Sequence, residues 1–284
     1  MRRLATLAVL VAQAAFCAAP QRIVSTAPSV TEILYALGLG SRVVGVTQYC
    51  RYPADAQTKP KIGTFLEPDF ERILSLRPDL VIVISNPIQV AERLRKLGLN
   101  AQEVKQDSIA DTMASIRAIG GWTGTGPQAL NLEQSIRASL DQVRAHSQKL
   151  PRKQVLFLVG RAPGTLQGMV GTGPATFVDE LITLAGGVNM LRQSPIAYPR
   201  VSLEQILSAN PDIILDMGDF AHGESKPLEP AARVLALWAK YPQLKAVGTG
   251  GVIQVASEIF IRPGPRLGQA AIELERMIHG SKAK

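Results

Sequence analysis

The side chains best suited to chemistry are few and scattered along this chain of 284 residues. His146, His222 and His279 stand far apart, with no His-x-x-x-His spacing and no paired cysteines that would build a zinc site. No Gly-x-Ser-x-Gly elbow offers a nucleophile for acyl transfer. The glycine-rich GTLQGMVGTGP (164–174) lacks the Lys-Ser/Thr ending and the Gly-x-Gly-x-x-Gly spacing of a phosphate cradle. It reads instead as a flexible loop at a cleft mouth. A nucleophile, a base and a group to orient it cannot be assembled from these parts, so the chain reads as a non-enzymatic protein.

Aromatic and ionic residues do gather in short segments between apolar runs: TQYCRYP (47–53), GTFLEPD (63–69), AYPRVS (197–202) and ASEIFIRPGPR (256–266). Tyr49, Tyr52, Phe65 and Tyr198 come from both halves of the chain. Aromatic rings give broad contact area for two rotatable angles, which suits a large, flat, partly apolar ligand; tyrosines beside prolines also pack loop corners. Glu258 and Arg262, with Arg266 close by, have two uses. They can bind the polar rim of a ligand, or pair with one another to steady the loop. Cys50, between two tyrosines, is open to two readings, a reactive thiol or metal ligand and a small buried hydrophobe, and the second is preferred because no second soft ligand is near.

One phrase occurs twice. DFERILSLRPDLVIV (69–83) aligns with SLEQILSANPDIILD (202–216), so that Glu71 falls on Glu204 and Pro78-Asp79 on Pro211-Asp212. The apolar stripes Phe70, Ile73, Leu74 and Leu203, Ile206, Leu207 face a core and leave both glutamates exposed in a first helical turn. The helix dipole, worth ~0.3–1 kcal/mol, accounts for either acid alone. Equivalent acids on two equivalent lobes also match a partner that is itself a two-fold dimer.

The elements that must position these residues follow from periodicity. RIVST (22–26), RVVGVT (42–47), LVIVIS (80–85) and AQEVKQ (101–106) read as strands alternating with helical patterns. After Pro151 the alternation restarts at QVLFLV (154–159). This predicts an α/β fold of two lobes, each a mainly parallel sheet flanked by helices. Between them 127–150 forms one helical pattern, with Leu132, Ile136, Leu140 and Val143 on one face. At ~1.5 Å per residue it is a stiff strut of roughly 35 Å, which allows only a small opening motion. The expected divisions are a leader at 1–19, a first lobe at 20–126, the connecting helix at 127–150 and a second lobe at 151–284.

The opening MRRLATLAVLVAQAAFCAAP has two arginines, an uncharged run and small residues, the pattern of an export signal; Cys17 is an alternative site for a lipid anchor. Without Arg2 and Arg3 the formal charge falls from +8 to +6. That excess is spread along the chain and forms no basic-aromatic surface for nucleic acid. No later run reaches the ~18 apolar residues of a spanning helix. The expectation is an exported monomer.

Taken in order, RIVSTAPSVTEILYALGLGSRVVGVTQYC, FERILSLRPDLVI, VSLEQILSANPDIIL and RPGPRL resemble the helical-backbone (class III) substrate-binding proteins of bacterial ABC importers, from about Arg22 to Ile278. The resemblance implies a periplasmic carrier, without cofactor or metal of its own, that delivers a small-molecule ligand to a permease dimer. The class serves vitamin B12, haem and ferric siderophores, and the motifs here are most similar to its corrinoid (cobalamin) binders. In those members a pocket tyrosine corresponds to Tyr49, and tryptophans correspond to Phe65 and Tyr198. An Asp and an Arg that face the corrin side groups correspond to Glu258 and Arg262. A further tryptophan position falls near Ile84, where this chain has no aromatic. Haem binders of the class use an axial Tyr or His, and Tyr49, Tyr52 or Tyr198 could serve, so haem or a ferric siderophore is the alternative ligand. Glu71 and Glu204 correspond to the acids that dock on permease arginines.

Overall fold

The computed structural model describes residues 19–218 and 229–280; the expected leader up to residue 18, with Cys17, and His222 lie outside them. The first sheet comprises β1 (Ile23–Ser25), β2 (Val43–Val46), β3 (Leu80–Ile84) and β4 (Ala101–Val104), all parallel, in the order β2-β1-β3-β4. Its crossovers carry α1 (Pro28–Ala36), α2 (Phe70–Ser75) and α3 (Val90–Lys96). Every residue of β1, and all but the last of β3, is buried. Helices on both faces require this, and it is why these strands read as unbroken apolar runs instead of alternating ones.

Two helices lead out of the first lobe, α4 (Ile109–Thr123) and α5 (Gly126–Ser147). The second sheet then forms from β5 (Lys153–Gly160), β6 (Val170–Gly171), β7 (Gly187–Asn189), β8 (Ile213–Asp216) and β9 (Val252–Gln254). Its order is β6-β5-β8-β9, with β7 also pairing β5; only β6 is antiparallel. Around it lie α6 (Phe177–Leu184), α7 (Leu203–Ala209), α8 (Ala231–Trp238), α9 (Lys245–Gly248) and α10 (Leu267–His279). The expected α/β architecture of two lobes is the one observed.

Three local readings change. Helix α4 has a weak apolar period diluted by Gly120 and Gly121, yet a capping box starts it: the Ser108 hydroxyl accepts from the Asp111 N–H, and the Asp111 carboxylate accepts from the Ser108 N–H. Gly120 is needed because a Cβ there would lie 2.5 Å from the Ala129 Cβ, where α4 and α5 touch. Helix α5 ends at Ser147, short of residue 150, because its last residues turn into the second lobe; the Ser147 hydroxyl donates to the Leu184 carbonyl at 2.7 Å. Finally, the glycine-rich 164–174 stretch is not a loop throughout. Its Val170–Gly171 pair is β6, and a Cβ on Gly171 would meet the Leu191 Cδ1 at 2.3 Å. That glycine serves close packing.

The repeated phrase folds the same way twice. Asp69 caps α2 by accepting from the Arg72 N–H at 2.8 Å, and Ser202 caps α7 by accepting from the Gln205 N–H at 3.2 Å. Each helix is followed by a left-handed residue, Arg77 at φ 46° and Asn210 at φ 47°. The shared aspartates then pin the neighbouring strand. Asp79 accepts from the N–H groups of Gln21 and Arg22 at 2.7 and 2.9 Å, and Asp212 from that of Gln154 at 2.7 Å.

The largest apolar cluster is shared by both lobes. It runs from Ile23 and Val30 through Ile136 and Leu140 of α5 to Val155 and Leu274. The strut is thus embedded in a common core, which adds to its own stiffness. The second lobe also buries an ionic group: Arg161, with no exposed side chain, donates to Asp216 at 2.9 Å and to Glu229 at 2.6 Å. The Trp238 indole donates to Asp216 at 2.8 Å. Arg161→Met would strand two buried carboxylates, and urea denaturation should show a loss of about 3–5 kcal/mol. A loss below about 1 kcal/mol would mean that the group contributes little.

Candidate ligand cleft and docking acids

In open parallel sheets the loops at the carboxyl ends of the strands form the ligand crevice. In this chain those loops meet across the lobes. Arg266, just before α10, donates to Glu32 of α1 at 2.8 and 2.6 Å, and its guanidinium carbon lies 4.4 Å from the Tyr52 ring centroid. Arg51 pairs with Glu258 at 3.8 Å, and Glu258 with Arg262 at 2.5 Å. Tyr52, Glu258 and Arg262 therefore share one polar seam between the lobes. Of the two uses open to Glu258 and Arg262, the mutual pair is the one formed, and Arg262 is buried.

Tyr198 lies in the second lobe, in the loop between β7 and α7. It is 52 % exposed, yet burial pushes its phenol pKa up and the charge of Asp107, in the loop after β4, adds to the rise. Tyr49 is half-buried, and Phe65 is half-buried against the main core. Among the described residues neither makes a ring contact with the Tyr52 group.

Three large apolar residues in these loops were not singled out by sequence reasoning: Leu66, Ile88 and Ile196, at 57 %, 40 % and 57 % exposure. Singly exposed aliphatic residues are ordinary on a surface, and these three are of interest because they sit in loops that follow strands, where an α/β sheet places its ligand. Their signal was an aliphatic residue close to a proline within a loop, as in TFLEP, NPIQ and SPIAYP. Glu32 was missed too, although it is the one charged residue in the helical pattern SVTEILYALGL.

Glu71 and Glu204 are exposed in the first turns of α2 and α7. Capping is performed by Asp69 and Ser202, so neither glutamate is needed for that purpose. The Glu204 pKa is lowered by hydrogen bonds from its own N–H and from the Ser202 hydroxyl, which keeps the carboxylate charged. Beside it lies a groove of about 690 Å³ whose lining includes Arg200, Leu237, Lys240 and Tyr241.

Cys50 is fully buried against the hydroxyls of Thr31 and Thr47, at 3.1 and 3.2 Å. Among the described residues no cluster of three His, Cys, Asp or Glu side chains could hold a metal ion. No helix among them is long and apolar enough to cross a membrane.

The fold and cleft define a two-lobed binding protein, and the comparisons agree. The chain belongs to the periplasmic binding protein family, whose profile matches residues 23–255. A vitamin B12-binding protein of Pectobacterium carotovorum subsp. carotovorum is 28 % identical over 261 residues, covering 90 % of this chain and 88 % of the relative. The apo periplasmic heme-binding protein RhuT from Roseiflexus sp. RS-1 superposes with a TM-score of 0.77 at 27 % identity, over 91 % of this chain and 98 % of that one. The periplasmic vitamin B12 binding protein BtuF of Vibrio cholerae shares the fold, with a TM-score of 0.77 at 24 % identity, over 93 % and 99 % of the two chains.

Burial pushes the Cys50 thiol pKa up despite the hydroxyl contacts. In a Cys17→Ser variant, Ellman's reagent should therefore label Cys50 slowly in the native protein and fully in guanidinium. Fast native labelling would mean an open, activated thiol.

Proposed function

We propose that this protein captures a corrinoid of the vitamin B12 type between its lobes and delivers it to an ABC importer. The observation that carries the reading is that loops following strands in both lobes hold large apolar side chains in water, Tyr52, Leu66 and Ile88 in the first lobe and Ile196 and Tyr198 in the second. Such a set suits a wide ligand with apolar faces and a polar rim. Tyr49 and Phe65 complete the aromatic walls, while Glu258 and Arg262 form the polar end. The leader, which precedes the described residues, directs the chain to the periplasm. The match to vitamin B12-binding relatives over nearly the whole chain supports the corrinoid.

Haem is the second reading, favoured by the equally good superposition on a heme-binding protein. It needs an axial ligand, for which Tyr49, Tyr52 and Tyr198 are the candidates; of these, Tyr198 suits the role least, because burial and Asp107 raise its phenol pKa and oppose the phenolate. A corrinoid carries its own lower ligand or water on cobalt, so this tyrosine need not ionise. Mixing the purified apo-protein with cyanocobalamin, haemin or a ferric siderophore and desalting should leave the cobalamin spectrum. Retention of haemin alone selects the second reading, and retention of no chromophore refutes both.

Glu71 and Glu204 are the docking acids for a two-fold permease surface. They occupy equivalent places in the repeated phrase, stand in water and are not needed as caps. Proteins of this family work with ABC transporter permeases. Glu71→Arg with Glu204→Arg should abolish uptake in reconstituted vesicles while ligand affinity stays within about twofold, since charge reversal at a rim acts on association with the partner. A matching loss of ligand affinity would remove the docking role.

A further inference from the structure

Arg266 stands where the lobes meet, and it touches both. Its fork closes on Glu32 through Nε–Oε2 at 2.8 Å and Nη2–Oε1 at 2.6 Å. The Glu32 side chain is only 1 % exposed, so the carboxylate needs that partner within the protein. On its other side the guanidinium lies 4.4 Å from the ring centroid of Tyr52, which is itself 51 % exposed. This is within cation–π range. The ring is thus held from behind by a cation that the opposite lobe supplies, and what remains exposed is open to a ligand. A second cross-lobe pair of reversed polarity, Arg51 with Glu258, lies on the same seam.

We infer that Arg266 is a positioning residue of the cleft: fixed on buried Glu32 by two charge-assisted hydrogen bonds, it sets the Tyr52 ring as a platform for the ligand. Planarity is the reason an arginine is required. Its fork matches a carboxylate while its face stacks on a ring, whereas a lysine retains charge but cannot satisfy both contacts. Ligand contact on Tyr52 and the closeness of the lobes are coupled through this one side chain. The inference rests on the cleft reading above, with Tyr52 as a ligand contact.

The test is a double-mutant cycle on the full chain, with cyanocobalamin and haemin as probes in absorbance titrations. Arg266→Lys should weaken binding of the retained chromophore about tenfold, but less than about twofold in a Tyr52→Ala background. Equal weakening in both backgrounds, or none in either, overturns the inference, because Arg266 would then not act through the ring. If Arg266→Lys does not fold, Glu32→Gln combined with Arg266→Gln removes both charges and enters the same cycle. Amide exchange of residues 47–58 in the unliganded protein gives a readout without any ligand. It should be faster in the variant, and unchanged exchange also overturns the inference. A wild-type protein that retains neither chromophore refutes the ligand reading alone and leaves the exchange experiment to decide this one.

Discussion

A carboxylate with 1 % of its side chain in water must find a cation, and Glu32 finds one in the other lobe. Its partner Arg266 is 234 positions away in the chain. Few contacts constrain a two-lobed molecule so directly. Separating the lobes at this edge would leave a buried charge alone, a far larger cost than losing a surface ion pair. The reversed pair Arg51–Glu258 lies beside it, and Glu180 of α6 accepts from the Ile109 N–H at the start of α4. Each lobe therefore places a carboxylate on the other.

The strut does not act alone. Ile136 and Leu140 of α5 belong to the apolar cluster that also contains Val30 of the first lobe and Leu274 of the second. Bending the helix would open that common core, where packing is close and voids are costly. The separation of the lobes follows from this shared core and from the seam at its edge.

Within that frame each lobe solves one problem twice. A short capped helix must turn sharply into a buried strand, and the strand must align with its neighbour. The left-handed Arg77 and Asn210 make the turn, and Asp79 and Asp212 hold the neighbouring strand by its backbone N–H groups. Once these aspartates and the caps Asp69 and Ser202 have done the structural work, Glu71 and Glu204 are left in water at matching places. Repetition of the backbone device explains why two exposed first-turn positions recur together, but it does not require that both carry an acid.

The alternation of apolar runs and helical patterns was enough to determine the α/β class, the two lobes and the long connecting helix. Burial of a strand, and exposure of Glu71 and Glu204, are local properties of spacing. The helix stripes were less well read: only Ile73 of α2 and Ile206 of α7 are fully buried, and Leu74, expected to face the core, is 38 % exposed because these helices are too short to cover more. Helix α4 escaped because its glycines dilute the apolar period, and Gly120 is there for contact with α5, which no local period records. The Gly171 strand was likewise hidden by a close approach to Leu191. For the cleft, the aromatic loops could be named from residue type, but the state of Glu258 and Arg262 could not, since an acid near an arginine is compatible with a ligand contact or a pair. Leu66, Ile88 and Ile196 became visible only as exposed side chains at strand ends. The meeting of Glu32, Arg266 and Tyr52 was decided by the tertiary structure alone, because it joins three segments brought together only when the two sheets close on one another, and no spacing within a segment carries that distance.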